Sequence, residues 1–193
     1  MSKQIIIAVA TEGTTDIRFL ESIIQRTFEK IAFDCSDLVE VFDPIFLEKV
    51  PGSIEAKALN YASQAIETGA MILCLHVDAD AQTDEIAFAD RIDPAFQAIA
   101  NDRQYQELHE TLIPIVPVHM TEAWMLADKE LLKKELGTKK NNDELGINKP
   151  PESFSDPKQA IQKAIQVAKQ ELSKRRRYKL KIGDFSLLDK KSI

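Results

Sequence analysis

The stretch AMILCLHV (residues 70–77) is apolar at every position except His76. A strand with one wet face alternates apolar and polar side chains. A run that stays apolar on both faces belongs inside a parallel sheet covered by helices. The rest of the chain supplies what such a sheet needs. QIIIAVA (4–10) is a second apolar run, rich in Ile. After it, Ile17, Leu20, Ile23, Ile24 and Phe28 recur at helical spacing. Thr14 or Thr15 is the expected N-cap of that helix, with Asp16 in its first turn, where the helix dipole favours an anion. LVEVFDPI (38–45) reads as a strand stopped by Pro44. Ser53 is placed to cap a second helix whose stripe is Ile54, Ala58, Tyr61, Ala62, Ala65 and Ile66, and Gly69 ends it.

Beyond the central run, Asp93-Pro94 is expected to open a third helix, with Asp as cap and Pro at the first helical position. TLIPIVPVHM (111–120) is a fourth strand whose two prolines argue for an edge position or an irregular path. From a Thr121 cap to Gly137 the chain reads as one strong helix. The polar segment 138–155 reads as a loop or linker. Asp156-Pro157 starts a last helix with Ala160, Ile161, Ala164, Ile165, Ala168 and Leu172 on its apolar side, and the tail 182–193 is ambiguous. Strands alternating with helices imply an α/β fold with a mainly parallel sheet. The organisation read from this pattern is an α/β domain over 1–137 and a small helical C-terminal extension over 138–193.

The 193 residues suit one domain, or one with a small appendage, and 44% hydrophobic with 29% charged is ordinary globular composition. No run is long enough to span a membrane. QIIIAVA is too short for a signal-peptide core, and TEGTTD rather than a small-residue cleavage site follows it. Cys35 and Cys74 lie far apart and outside any CxxC pair, so they read as reduced, buried thiols of a cytoplasmic protein. The net charge of −6 denies the chain a general field for phosphate backbones. A nucleic-acid partner would therefore need local attraction, from bound cations or from the run Lys174, Arg175, Arg176 and Arg177.

In parallel sheets ligands bind beyond the carboxyl ends of the strands. Three loops at that edge carry acids. Glu12 and Asp16 follow the first strand, Asp78, Asp80, Asp84 and Glu85 follow the third, and Glu122 follows the fourth. Should the first, third and fourth strands be neighbours, their tips would bring Glu12, Asp78, Asp80 and Glu122 into one crevice. Residues two apart on an extended segment project to one side, so Asp78 and Asp80 are expected to reach one ion. Carboxylates gathered in a cleft repel unless a cation lies between them, and hard oxygen ligands suit Mg²⁺ or Mn²⁺. Each acid taken singly is also what a helix cap or turn uses. Asp84 and Glu85 read as solvated loop charges, His76 as a buried, satisfied histidine, and Trp124 as packing.

EGTTD after the first strand, with DAD after the third, resembles the Toprim domain shared by topoisomerases, DnaG-type primases, OLD-family nucleases and small RNA-maturation nucleases. The matching positions are Glu12, Gly13, Asp78 and Asp80, and Asp16 is similar to the further acid of OLD-like and RloB-like members. VHMTEAWMLADKELL (118–132) resembles the Glu-Ala-Trp-Leu-Leu-Ala-Asp signature of a bacterial Toprim-like family that often neighbours an ABC-type or AAA ATPase in phage-defence pairs. The resemblance covers about residues 4–135, and His119-Met120-Thr121 and Met125 depart from it. It implies a Toprim-like (Rossmann-like) fold and a Mg²⁺- or Mn²⁺-dependent nuclease of a phage-defence system. Glu12 would be the general base or acid or a ligand of a second ion. Asp78 and Asp80 would hold the principal ion, and Asp16 and Glu122 would complete a second position. Nucleic acid and an ATPase are the implied partners, and a homodimer is compatible with the reading. Two other readings stand beside it. One is a non-catalytic partner module that binds metal or nucleotide. The other is a primase-like nucleotidyl transferase.

Overall fold

The computed structural model describes residues 3–14, 16–171 and 173–179. Six short strands are present among them: β1 Lys3–Ile5, β2 Ile7–Ala10, β3 Val39–Val41, β4 Ile45–Phe46, β5 Ile72–His76 and β6 Leu112–Ile115. Every pairing is parallel. β1 pairs with β3, and a four-stranded sheet runs β4-β2-β5-β6. The chain is thus α/β, with mainly parallel sheets flanked by helices in a Rossmann-like manner.

The chain divides into two compact units, residues 1–77 with 84–116, and residues 78–83 with 117–193. The sequence had suggested a division after residue 137.

The first unit holds all six strands. β2 is entirely buried, and β5 is buried from Leu73 to His76. Period-2 alternation sends Ala8, Ala10, Leu73 and Leu75 into one core with residues of α2 (Ile54–Glu67) and α4 (Asp93–Asn101). Ile7, Val9 and Cys74 alternate with them and are equally buried, so both faces of these strands are covered. The buried positions of α2 are all alanines, Ala58, Ala62 and Ala65, and this helix packs on α4. Ser53 caps α2 by accepting the Ala56 N–H at 3.3 Å, and Gly69 leaves the helix with φ +73°, as expected. A backbone hydrogen bond first, and Ser53 second, hold the Glu55 carboxyl below its ordinary value.

The two N-terminal strand readings each break in two. Residues 3–5 pair with β3, whereas 7–10 pair with β4 and β5, and Ile6 O between them accepts from Met71 N and Ile72 N. Pro44 interrupts the second run without ending it, because β4 resumes at Ile45. β6 lies at the sheet edge, where Pro114 costs no ladder bond to a further strand.

Two helix starts differ from expectation. α1 (Ile17–Phe33) begins after Asp16, which occupies the cap position without a side-chain capping bond; Thr14 is not the cap, and Thr15 lies outside the described residues. Asp93 does not open its helix either. Helical structure starts at Glu85 with α3 (Glu85–Ala87) and passes through a π-helical turn, Phe88–Ile92. The Asp93 N–H reaches back five residues to Phe88 O, and Pro94 brings no N–H to compete. A short helix α5 (Gln106–His109) completes this unit. Cys35 is exposed, contrary to expectation, whereas Cys74 is buried and its burial pushes the thiol up to about 12.

The second unit is helical: α6 Thr121–Met125, α7 Lys129–Leu136, α8 Pro157–Lys169 and α9 Lys174–Lys179. The single helix expected over 121–137 is broken because Asp128 accepts the Leu131 N–H at 2.9 Å and starts a new helix. Gly137 ends α7 in the left-handed region, φ +65°. Segment 138–155 is more than a linker, since Leu145 and Ile147 are at most 2% exposed. Asp156 caps α8 by accepting the Gln159 N–H at 2.7 Å, as its sequence indicates. The tail 182–193 and Leu172 lie outside the described residues.

Candidate metal and nucleic-acid site

In the first unit, Glu12 lies two residues beyond β2. Its Oε1 accepts from Arg91 Nη1 at 3.1 Å, and its backbone carbonyl accepts from Lys49 Nζ. Its side chain is 43% exposed and that of Arg91 21%, so water screens this ion pair in part. Thr11 Oγ1 donates to Gly13 O at 3.1 Å and fixes the turn between them. Asp16 is buried, 6% exposed, and its carbonyl accepts the Leu20 N–H at the start of α1.

In the second unit, Asp78 is part-buried and its Oδ1 accepts from both Thr121 N, at 2.9 Å, and Thr121 Oγ1, at 3.1 Å. Thr121 therefore serves the acid loop rather than capping its own helix; Met120 holds the cap position. The loop is tied to residues 117–119 by Ala79 N to Pro117 O, Asp80 N to His119 O, and His119 N to Ala81 O. Asp80 and His119 both adopt left-handed backbone, with φ 54° and 62°. Side chains pay a steric penalty there, and such residues persist where surrounding hydrogen bonds over-determine them. The simple extended geometry expected for Asp78 and Asp80 is thus replaced by a turn at Asp80. Ala79 is buried between them while Asp80 is exposed. Glu122 is 6% exposed, with Lys158 Nζ 3.9 Å from its Oε1.

The acids of the three loops are thus divided between the two units. Glu12 and Asp16 stand in the first; Asp78, Asp80 and Glu122 stand in the second. Among the described residues no group of three or more His, Cys, Asp or Glu side chains is gathered in a metal-holding arrangement. Asp84 is half-buried at the start of α3 and Glu85 is exposed. His76 is buried, as expected, but its Nδ1 makes no hydrogen bond among the described residues. Lys174, Arg175 and Arg177 are exposed on α9, which also contains Arg176. Sequence reasoning missed Arg91, Lys49, Lys158 and the donor role of Thr121. Only Thr121, one residue before Glu122, carried a local signal, and it was read as a helix cap.

The sheet and the loops beyond it define the class: an α/β protein whose acid-bearing turns follow the carboxyl ends of parallel strands. Residues 11–191 match the family described as Domain of unknown function (DUF4276), and the chain belongs to it. No curated protein and no solved structure matched. No helix among the described residues is long and apolar enough to cross a membrane.

Proposed function

We propose that the chain is a Mg²⁺- or Mn²⁺-dependent nuclease of Toprim type that cleaves phosphodiester bonds in nucleic acid. In this reading it is the cytoplasmic effector of a defence system whose other part is an ABC- or AAA-type ATPase. The observation that carries the reading is the strand order β2-β5-β6. These parallel neighbours are the strands that lead into Glu12, Asp78 and Glu122. The donors fit the metal in kind, because all are hard carboxylate oxygens. A bound divalent ion would supply Lewis acidity to the scissile phosphate and lower the pKa of water.

The chain's own residues take the remaining roles. Glu12 exchanges a proton with the attacking or leaving oxygen, and Arg91 pairs with its carboxylate. Thr121 fixes Asp78 through two donors, which leaves its rotamer little freedom. Asp16 and Glu122 add buried negative charge. Lys174, Arg175, Arg176 and Arg177 are the phosphate-backbone contacts that an acidic chain otherwise lacks. The free thiols Cys35 and Cys74 suit the reducing cytoplasm.

A second reading, a non-catalytic module that binds metal or nucleotide beside its ATPase, draws on the Arg91–Glu12 ion pair, which engages the proposed base. One experiment separates the two. The purified full chain is incubated with labelled single- and double-stranded DNA and RNA, with Mg²⁺, Mn²⁺ or chelator. Metal-dependent cleavage that is lost in both Glu12→Gln and Asp80→Asn supports the nuclease. Absence of cleavage under either metal, or full activity in either variant, overturns it.

A further inference from the structure

A cavity of about 270 Å³ opens in the first unit, beyond the carboxyl ends of β4, β2 and β5. Its volume is near the lower end of small-molecule sites, about 300 Å³. One wall is a single face of α2: Ile54, Lys57, Ala58 and Tyr61 follow one another at spacings of three, four and seven from the first. Ile92 and Ala95 supply apolar wall from the π-helical turn and α4. The polar lining is unbalanced. Lys49, Lys57 and Arg91 face it, against the one carboxylate of Glu12, which Arg91 already pairs. In a chain of net charge −6 this concentration of cations is against the average. Lys57 is half-buried, and its ammonium makes no hydrogen bond or ion pair among the described residues. An ammonium held beside Ile54 and Ala58 gains by meeting an anion there.

We infer that this cavity binds a phosphate monoester carried on a compact planar body, such as a nucleoside monophosphate or the phosphorylated end of a nucleic-acid strand. The phosphate lies against Lys49, Lys57 and Arg91. The body lies on the apolar wall, with Tyr61 as its aromatic neighbour. A bare inorganic anion satisfies only the cations, and an uncharged nucleoside only the wall. The two-part lining therefore selects a ligand with both parts. Such a site does not depend on the nuclease reading, since every residue in it belongs to the first unit and none is a metal ligand apart from the proposed Glu12.

The test uses the full chain in chelator, so that no metal contributes. Calorimetry compares adenosine monophosphate, adenosine and inorganic phosphate, with thermal shift as a second readout. Adenosine monophosphate is expected to bind, and to bind at least about tenfold tighter than either part alone. Lys57→Gln and Lys49→Gln are each expected to weaken it by about tenfold, the size of one charge-assisted contact. Lys163→Gln, at an exposed position of α8, should leave it unchanged. A 5′-phosphorylated dinucleotide that binds as well as the monophosphate assigns the site to strand ends, and one that binds much more weakly assigns it to free nucleotide. Either result supports the site. No binding at millimolar monophosphate, equal binding of inorganic phosphate, or full affinity in folded Lys57→Gln overturns it. Retained binding in an inactive Asp80→Asn protein keeps this result apart from the fate of the nuclease proposal.

Discussion

In the loop after β2, Glu12 reaches a cation far along the chain, Arg91, and does so half in water. In the loop after β5, Asp78 is gripped by the amide and hydroxyl of a fully buried threonine, and its neighbour Asp80 is held in left-handed backbone. The first acid is adjustable. A flexible ion pair contributes little to stability and yields to a competing ligand. The second is set before any ligand arrives, because its hydrogen bonds are also what joins residues 78–81 to 117–121. The two loops thus differ in how firmly each holds its acid.

Core truncation sets the scale against which this contrast is read. Leu73→Ala in the first unit and Leu132→Ala in the second each remove a side chain that is 0% exposed. Each should lower unfolding free energy by about 2–5 kcal/mol in urea titrations. Next comes Asp78→Ala, which strips the acceptor from both Thr121 donors and should cost about 1–3 kcal/mol. Asp78→Asn keeps an oxygen acceptor and should cost less than half as much, while abolishing any metal-dependent cleavage as completely. Equal stability loss in the two would show that charge, rather than the two hydrogen bonds, fixes the loop.

His119→Gly tests the strain in the same loop. Glycine accepts φ near +60° without a Cβ clash but gains entropy in the unfolded chain. The two terms partly cancel, and a rise of up to about 1 kcal/mol is expected if the left-handed backbone is strained. A fall of more than about 1 kcal/mol would mean that the imidazole, and not the backbone geometry, holds the loop together.

Much of the fold was legible because period and punctuation are local. Ser53, Gly69 and Asp156 each announced a helix end through one side chain or one glycine, and the apolar run at 72–76 announced a central strand. What was not legible required a partner. Nothing in QIIIAVA says that its first residues pair with β3 and its last with β4 and β5, since alternation marks strands and not neighbours. Residues 121–137 read as one helix, and the competition of Asp128 for the Leu131 N–H divides it in two. The acids of the candidate site were read off as residues, but their counter-charges were not. Arg91 is 79 residues from Glu12, and its place depends on a π-helical turn that no local pattern marks. Cys35 was expected inside because free cysteines usually are, but it sits in the exposed segment between Phe33, the last residue of α1, and Leu38.

The smallest effect is the most telling for the half of the comparison that faces water. Glu12→Gln removes one member of an ion pair whose carboxylate side is 43% exposed. Screening and side-chain entropy leave such pairs a median worth of about 0–1 kcal/mol. The variant should therefore unfold within about 0.5 kcal/mol of the unaltered protein, and the difference should shrink further as salt is raised. The same substitution is expected to eliminate cleavage, so a residue nearly silent in stability would be decisive in activity. A stability loss of 2 kcal/mol or more, persisting in high salt, would reverse the assignment on general grounds of buried charge. Glu12 would then belong with Asp78 as a fixed structural acceptor, and the division between an adjustable and a preset loop would fail.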